Sequence, residues 1–195
     1  MQSCANNRGV AWLVVLCLCA PGLAAQEEQG SAPRRFSVLH ADTTLVDGVY
    51  LLNARVDYPL GEAAVEALRS GVTLTLLLEI EVERERTLLW DAELTRLSQR
   101  YELRYHALTR RYLVKNLSTG VQQAFPAQEA ALSALGEIKD MPLLDEHLLT
   151  PGANYHARLR ARLDHSSLPA PLRLIALLSP AWQTSSEWYT WPLQH

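Results

Sequence analysis

The segment Val72–Arg86, VTLTLLLEIEVERER, constrains this chain more than any other. Val72, Leu74, Leu76, Leu78, Ile80 and Val82 alternate strictly with the residues between them, and Glu79, Glu81, Glu83 and Glu85 fill the later intervening positions. Glu, Leu and Arg all favour helices, so propensity alone leaves the segment undecided. Periodicity decides it, because a repeat of two puts one face in oil and the other in water only on a strand. The same residues wound as a helix would scatter apolar groups around the whole circumference. The segment therefore predicts a long, half-buried strand, and a strand of that length needs partners.

Two other stretches supply them. Tyr155–Asp164 (YHARLRARLD) sets Tyr155, Ala157, Leu159, Ala161 and Leu163 on one face and Arg158, Arg160 and Arg162 on the other. Arg100–Ala107 (RYELRYHA) does the same with Tyr101, Leu103 and Tyr105 against Arg100, Arg104 and His106. Glutamates and arginines of matched period predict a cross-strand charge ladder on the solvent face of an antiparallel sheet. Exposed pairs of this kind contribute about 0.2–1 kcal/mol each and act mainly on register and solubility.

The N-terminus bears on location. One basic residue, Arg8, precedes the apolar run Val10–Ala20, and Gly22 and Ala24 then stand as the small residues of a cleavage site. This is the layout of a secretory signal peptide. A retained anchor is the alternative, but the run is short against the roughly 20 residues a span needs. Cys4, Cys17 and Cys19 all fall within this segment, so the mature chain holds no cysteine and must be held by its core without disulfides. The expected organisation is a signal peptide over 1–24, a flexible leader over 25–35 and a single domain over 36–195, exported to the periplasm or beyond, with no transmembrane segment after cleavage.

Asp47-Gly48 between Phe36–Val46 and Gly48–Tyr58 predicts a hairpin. Gly61–Ser70 and Pro126–Ile138 predict short helices, the first ended by Gly71. Arg111–Leu117 and Val121–Phe125 read as strands about a Ser118-Thr119-Gly120 turn, Asp140–Asn154 as a loop, Leu172–Leu178 as a central strand, and Trp188–Leu193 as the closing segment. Strands dominate without a βαβ rhythm. The expected fold is mainly β, with antiparallel sheets in a sandwich-like arrangement and about two short helices. An outer-membrane barrel is set aside, because helices and proline breaks interrupt the strand pattern.

The chemistry-bearing residues point away from catalysis. The net charge of −3 argues against nucleic-acid binding. The six histidines form neither HxH nor HExxH, so no metal site and no cofactor are expected. Asp164-His165-Ser166 holds the residue types of a hydrolase triad, but as sequence neighbours, and no G-x-S-x-G elbow accompanies it. No catalytic residue is assigned. The candidate interaction surface is the glutamate row, Glu79, Glu81, Glu83 and Glu85, together with Trp188 and Trp191.

Taken together, the signal peptide, VTLTLLLEIEV, Tyr101–Val114 (YELRYHALTRRYLV) and Leu168–Arg173 (LPAPLR) followed by the tryptophans resemble the exported proteobacterial family known as domain-of-unknown-function family 4390. The resemblance covers roughly the mature chain and brings no active-site residues. Members are often encoded beside a membrane sensor kinase of the nitrogen-regulation type, which implies a link to signalling. The expected function is a non-enzymatic interaction or accessory module of the cell envelope with a protein partner. A periplasmic small-ligand carrier or sensor is the second reading, and a hydrolase the third.

Overall fold

A computed structural model describes residues 35–85, 92–179, 182 and 184–193 of the 195-residue chain. The expected signal peptide and nearly all of the leader lie outside the described residues.

The fold is mainly β. β1 (Ser37–Val46) and β2 (Val49–Asp57) form the hairpin expected at Asp47-Gly48, with Val46 opposite Val49 and both turn residues at positive φ. Two left-handed residues in a two-residue loop are what the right-handed twist of a hairpin requires, and Asp-Gly supplies them at low cost. α1 (Glu62–Arg69) follows. Its C-terminus is closed by Gly71 at φ +88, where the Gly71 and Val72 amides donate to the Leu68 and Ala67 carbonyls. The alternating segment is β3 (Leu74–Arg84), and β4 (Ala92–His106), β5 (Arg111–Asn116) and β6 (Gln122–Phe125) come after it. α2 (Gln128–Gly136) runs directly into β7 (Glu137–Asp145). The chain ends through β8 (Tyr155–Leu163), α3 (Ala170–Leu178) and β9 (Tyr189–Pro192).

These strands make two antiparallel sheets, ordered β1-β2-β7 and β6-β5-β4-β3-β8-β9. Both sheets are open, and their inner faces share one apolar core with α1 and α2. Tyr50 and Leu52 come from one sheet, Leu76, Leu78, Ile80 and Leu159 from the other, and Leu68 and Leu135 from the helices. Complete burial of each such aliphatic side chain contributes about 1.5–3 kcal/mol, so this layer holds the sheets together. Trp191 crosses between them, its Nε1–H donating to Thr43 Oγ1 at 3.3 Å.

At the end of α2 the helix meets the sheet without a spacer. A Cβ built on Gly136 would collide with the Val56 carbonyl oxygen of β2. Glycine is therefore the residue that lets α2 lie against that strand.

Two expectations are corrected. Glu137–Asp145 is a strand, although most of it was expected to be loop. It pairs only with β2, and Pro142 is tolerated there because an edge strand need not donate on its free side. Lys139 and Asp140 both stand against Asn53, and the Asp140 amide, at φ +47, donates to the Asn53 side chain at 3.1 Å. Leu172–Leu178 is helical rather than a central strand. A uniformly apolar run carries no period; the prolines ahead of it and its Leu-rich composition suit a helix start and interior.

Candidate functional site: a layered ionic face with an indole cap

Register decides what the outward face of the six-stranded sheet contains. Glu79 lies opposite Arg160, Glu81 opposite Arg158 and Glu83 opposite His156. On the other flank Glu81 lies opposite Arg96 of β4. The glutamate row is thus held between two basic strands.

The contacts follow from that register. Arg96 Nε approaches Glu81 Oε1 at 2.9 Å from one side, and Arg158 Nε donates to Glu81 Oε2 at 2.7 Å from the other. Arg158 Nη2 also reaches Glu83 Oε1 at 2.6 Å. Arg160 donates to Glu79 Oε2 from Nε at 3.0 Å and from Nη2 at 2.6 Å, while Arg162 Nη2 donates to Glu79 Oε1 at 3.2 Å. His156 Nε2 lies 3.1 Å from Glu83 Oε2. Burial works to raise the Glu79 pKa, but the hydrogen bonds and charges of Arg160 and Arg162 outweigh it and hold the carboxyl below its usual range.

A second layer lies above the first. The Trp188 ring covers two guanidinium groups, with Arg158 Cζ 4.6 Å and Arg160 Cζ 4.4 Å from the ring centroid. Each arginine spends its in-plane N–H groups on carboxylates and turns its face to the indole. The stack runs from sheet to carboxylate, guanidinium and indole.

The charge ladder is therefore present in the predicted strands, but the solvent-facing glutamate surface is corrected. Glu81 is only 4% exposed, and Glu79 and Glu83 are partly buried under the arginines; Glu85, past the end of β3, is exposed. What solvent meets instead is arginine. Arg96, Arg100 and Arg104 are exposed at every fourth position of β4, on the side that bears the stack. Arg100 and Arg104 have no ion-pair partner among the described residues. Trp188 lies on this face, over Arg158 and Arg160, whereas Trp191, which was expected to share an interaction surface with it, is buried in the core on the opposite one.

The Asp164-His165-Ser166 neighbours do not assemble a relay. Ser166 Oγ donates to Asp164 Oδ1 at 2.6 Å, while His165 Nε2 lies 2.7 Å from the Trp182 carbonyl oxygen. Serine and histidine are turned to different partners, so no base stands over a nucleophile. A separate cleft of about 300 Å³ opens between α2 and strands β4–β6. Tyr101, Val114, Phe125 and Leu135 line it, and it contains no charged side chain.

Sequence reasoning missed the first half of β4 and with it Arg96. The inward series Thr95, Leu97, Gln99, Tyr101 continues the alternation back through that half, but polar Gln99 interrupts it.

The family described as Domain of unknown function (DUF4390) matches residues 34–192. No curated protein and no solved structure matches the chain.

Proposed function

The chain belongs to the DUF4390 family, and from that premise we propose that it is an exported, non-enzymatic interaction module of the cell envelope. Its docking surface is the outward face of the six-stranded sheet, and its partner is a protein with an acidic segment. One observation carries this reading: Glu79, Glu81 and Glu83 are already met by basic groups of this sheet, while Arg100 and Arg104, on either side of Glu102, are exposed beside Arg96 without an ion-pair partner among the described residues. Three arginines at every fourth position of a strand span about 27 Å, a spacing suited to an extended acidic segment. The signal-peptide layout of the first 24 residues supports export.

The test is a photo-crosslinking amino acid at Ser98, between Arg96 and Arg100, in cells that make the protein naturally. A discrete crosslinked protein is expected in the envelope fraction, and it should disappear when Arg100→Glu and Arg104→Glu are combined. No crosslink, or one indifferent to the reversal, overturns the docking surface. Sequencing the mature N-terminus tests export separately, with a start at Ala25 expected.

The uncharged cleft between α2 and β4–β6 favours carriage of a small apolar ligand as a second reading. Uptake of a neutral naphthalene probe, abolished by Ala134→Trp, is the expected sign of it.

A further inference from the structure

We propose that the protein also rests on an anionic lipid bilayer, through the end of the six-stranded sheet that carries α3 and the β4–β5 turn. This goes beyond the docking reading and does not depend on it.

The register brings these parts together. β3 begins at Leu74 opposite Leu103, near the end of β4, and the end of β8 at Leu163 lies opposite Leu76. The β4–β5 turn, the C-terminus of α1 and the chain leading into α3 therefore all leave the sheet at one end. That end is unusually apolar on its outside. Leu108 in the turn is 93% exposed, and on α3 Leu174 is 66% and Leu178 84% exposed. Ile175 and Leu177 of the same helix are also more than half exposed. Scattered apolar residues on a surface need no explanation, but a helix that exposes four of them at the same end of a sheet as a leucine-tipped turn does.

Charge selects the occupant. Arg104, Arg110 and Arg111 flank Leu108, Arg69 ends α1, and Arg173 lies on α3. At the opposite end of the same sheet Glu83, Glu93 and Glu85 stand together, but Arg158, His156 and Arg96 already counter them and Arg84 lies among them. Although the chain carries a net charge of −3, the end that shows its leucines also shows five exposed arginines. Leucines entering the acyl boundary while arginines meet phosphates is the pattern of an interfacial membrane contact. No described helix is long and apolar enough to cross a membrane, so the contact is one of resting on the surface.

The experiment is co-sedimentation of the full chain with vesicles of phosphatidylcholine alone or mixed with phosphatidylglycerol. Hydrogen exchange on the bound protein provides the second readout. Binding to the mixed vesicles is expected, with slowed exchange over 107–110 and 170–178 and none over 82–85. Arg110→Glu with Arg111→Glu, and separately Leu108→Ser with Leu178→Ser, should each weaken binding on the order of tenfold. All four positions are exposed, and an unchanged urea midpoint would show that folding is intact. Several outcomes overturn the proposal. These are no sedimentation, equal binding to neutral vesicles, or binding without protection at the two segments, as attachment through residues 1–34 alone would give. Capture of soluble polyglutamate without vesicle binding would assign this end to an acidic protein instead.

Discussion

On the outward face of the six-stranded sheet Glu81 is 4% exposed; on α3 Leu178 is 84% exposed. Charge is hidden in one region and hydrocarbon is shown in the other. The hidden charge is tolerable because each carboxylate meets guanidinium groups from a neighbouring strand and an indole closes the layer from above. Leu178 has no such cover among the described residues. The contrast teaches that polarity predicts burial only after partners are counted: a matched row of opposite charge can go under cover, and an apolar run without a period can stay outside.

The comparison breaks first at Glu81. Glu81→Ala would leave Arg96 and Arg158 without their shared carboxylate, and urea denaturation should register a loss of about 3 kcal/mol. A loss no larger than that of an ordinary surface pair would mean the layer is solvated after all. Trp188→Ala tests the cap. Removing one ring from over two guanidinium groups should cost about 1 kcal/mol and make the remaining stability more sensitive to salt.

Acid gives a finer test. The folded pKa of Glu79 is depressed, so its contribution is fully present above the unfolded value near 4.5 and is lost as pH falls through the folded one. Stability followed from about pH 7 to about pH 2 should fall less steeply in Glu79→Gln than in the unaltered chain. If both fall in parallel, Glu79 is not held by its arginines. The smallest effect belongs to the other region. Leu178→Ser should change unfolding by less than about 0.5 kcal/mol, and a larger loss would show that α3 packs against something in the free protein.

Much of this arrangement was legible because β3 and β8 both repeat every two residues. Matching their periods was enough to set the glutamate row against the row Arg158, Arg160 and Arg162; a period fixes the face and not the register, so Glu79 opposite Arg160, Glu81 opposite Arg158 and Glu83 opposite His156 was not legible. The depth of the row was not legible. It depends on Arg96 arriving from β4, whose inward series is interrupted by Gln99, and on Trp188 folding over from the segment before β9. β7 escaped because Pro142 and the Asp140 bulge, ordinary signs of a loop, are compatible with an edge strand. α3 escaped because seven consecutive apolar or arginine residues carry no phase from which helix and strand can be told apart.

Gly136 has a consequence for descent. Most positions in the sheets can drift among residues of similar size and polarity. Position 136 cannot, since any side chain would strike the Val56 carbonyl and push α2 off β2. β7 begins at the next residue, so a displaced helix would carry β7 away from its pairing with β2 as well. A lineage that keeps this three-stranded sheet must therefore inherit glycine at 136, or lose it only together with a rebuilt junction between helix and strand.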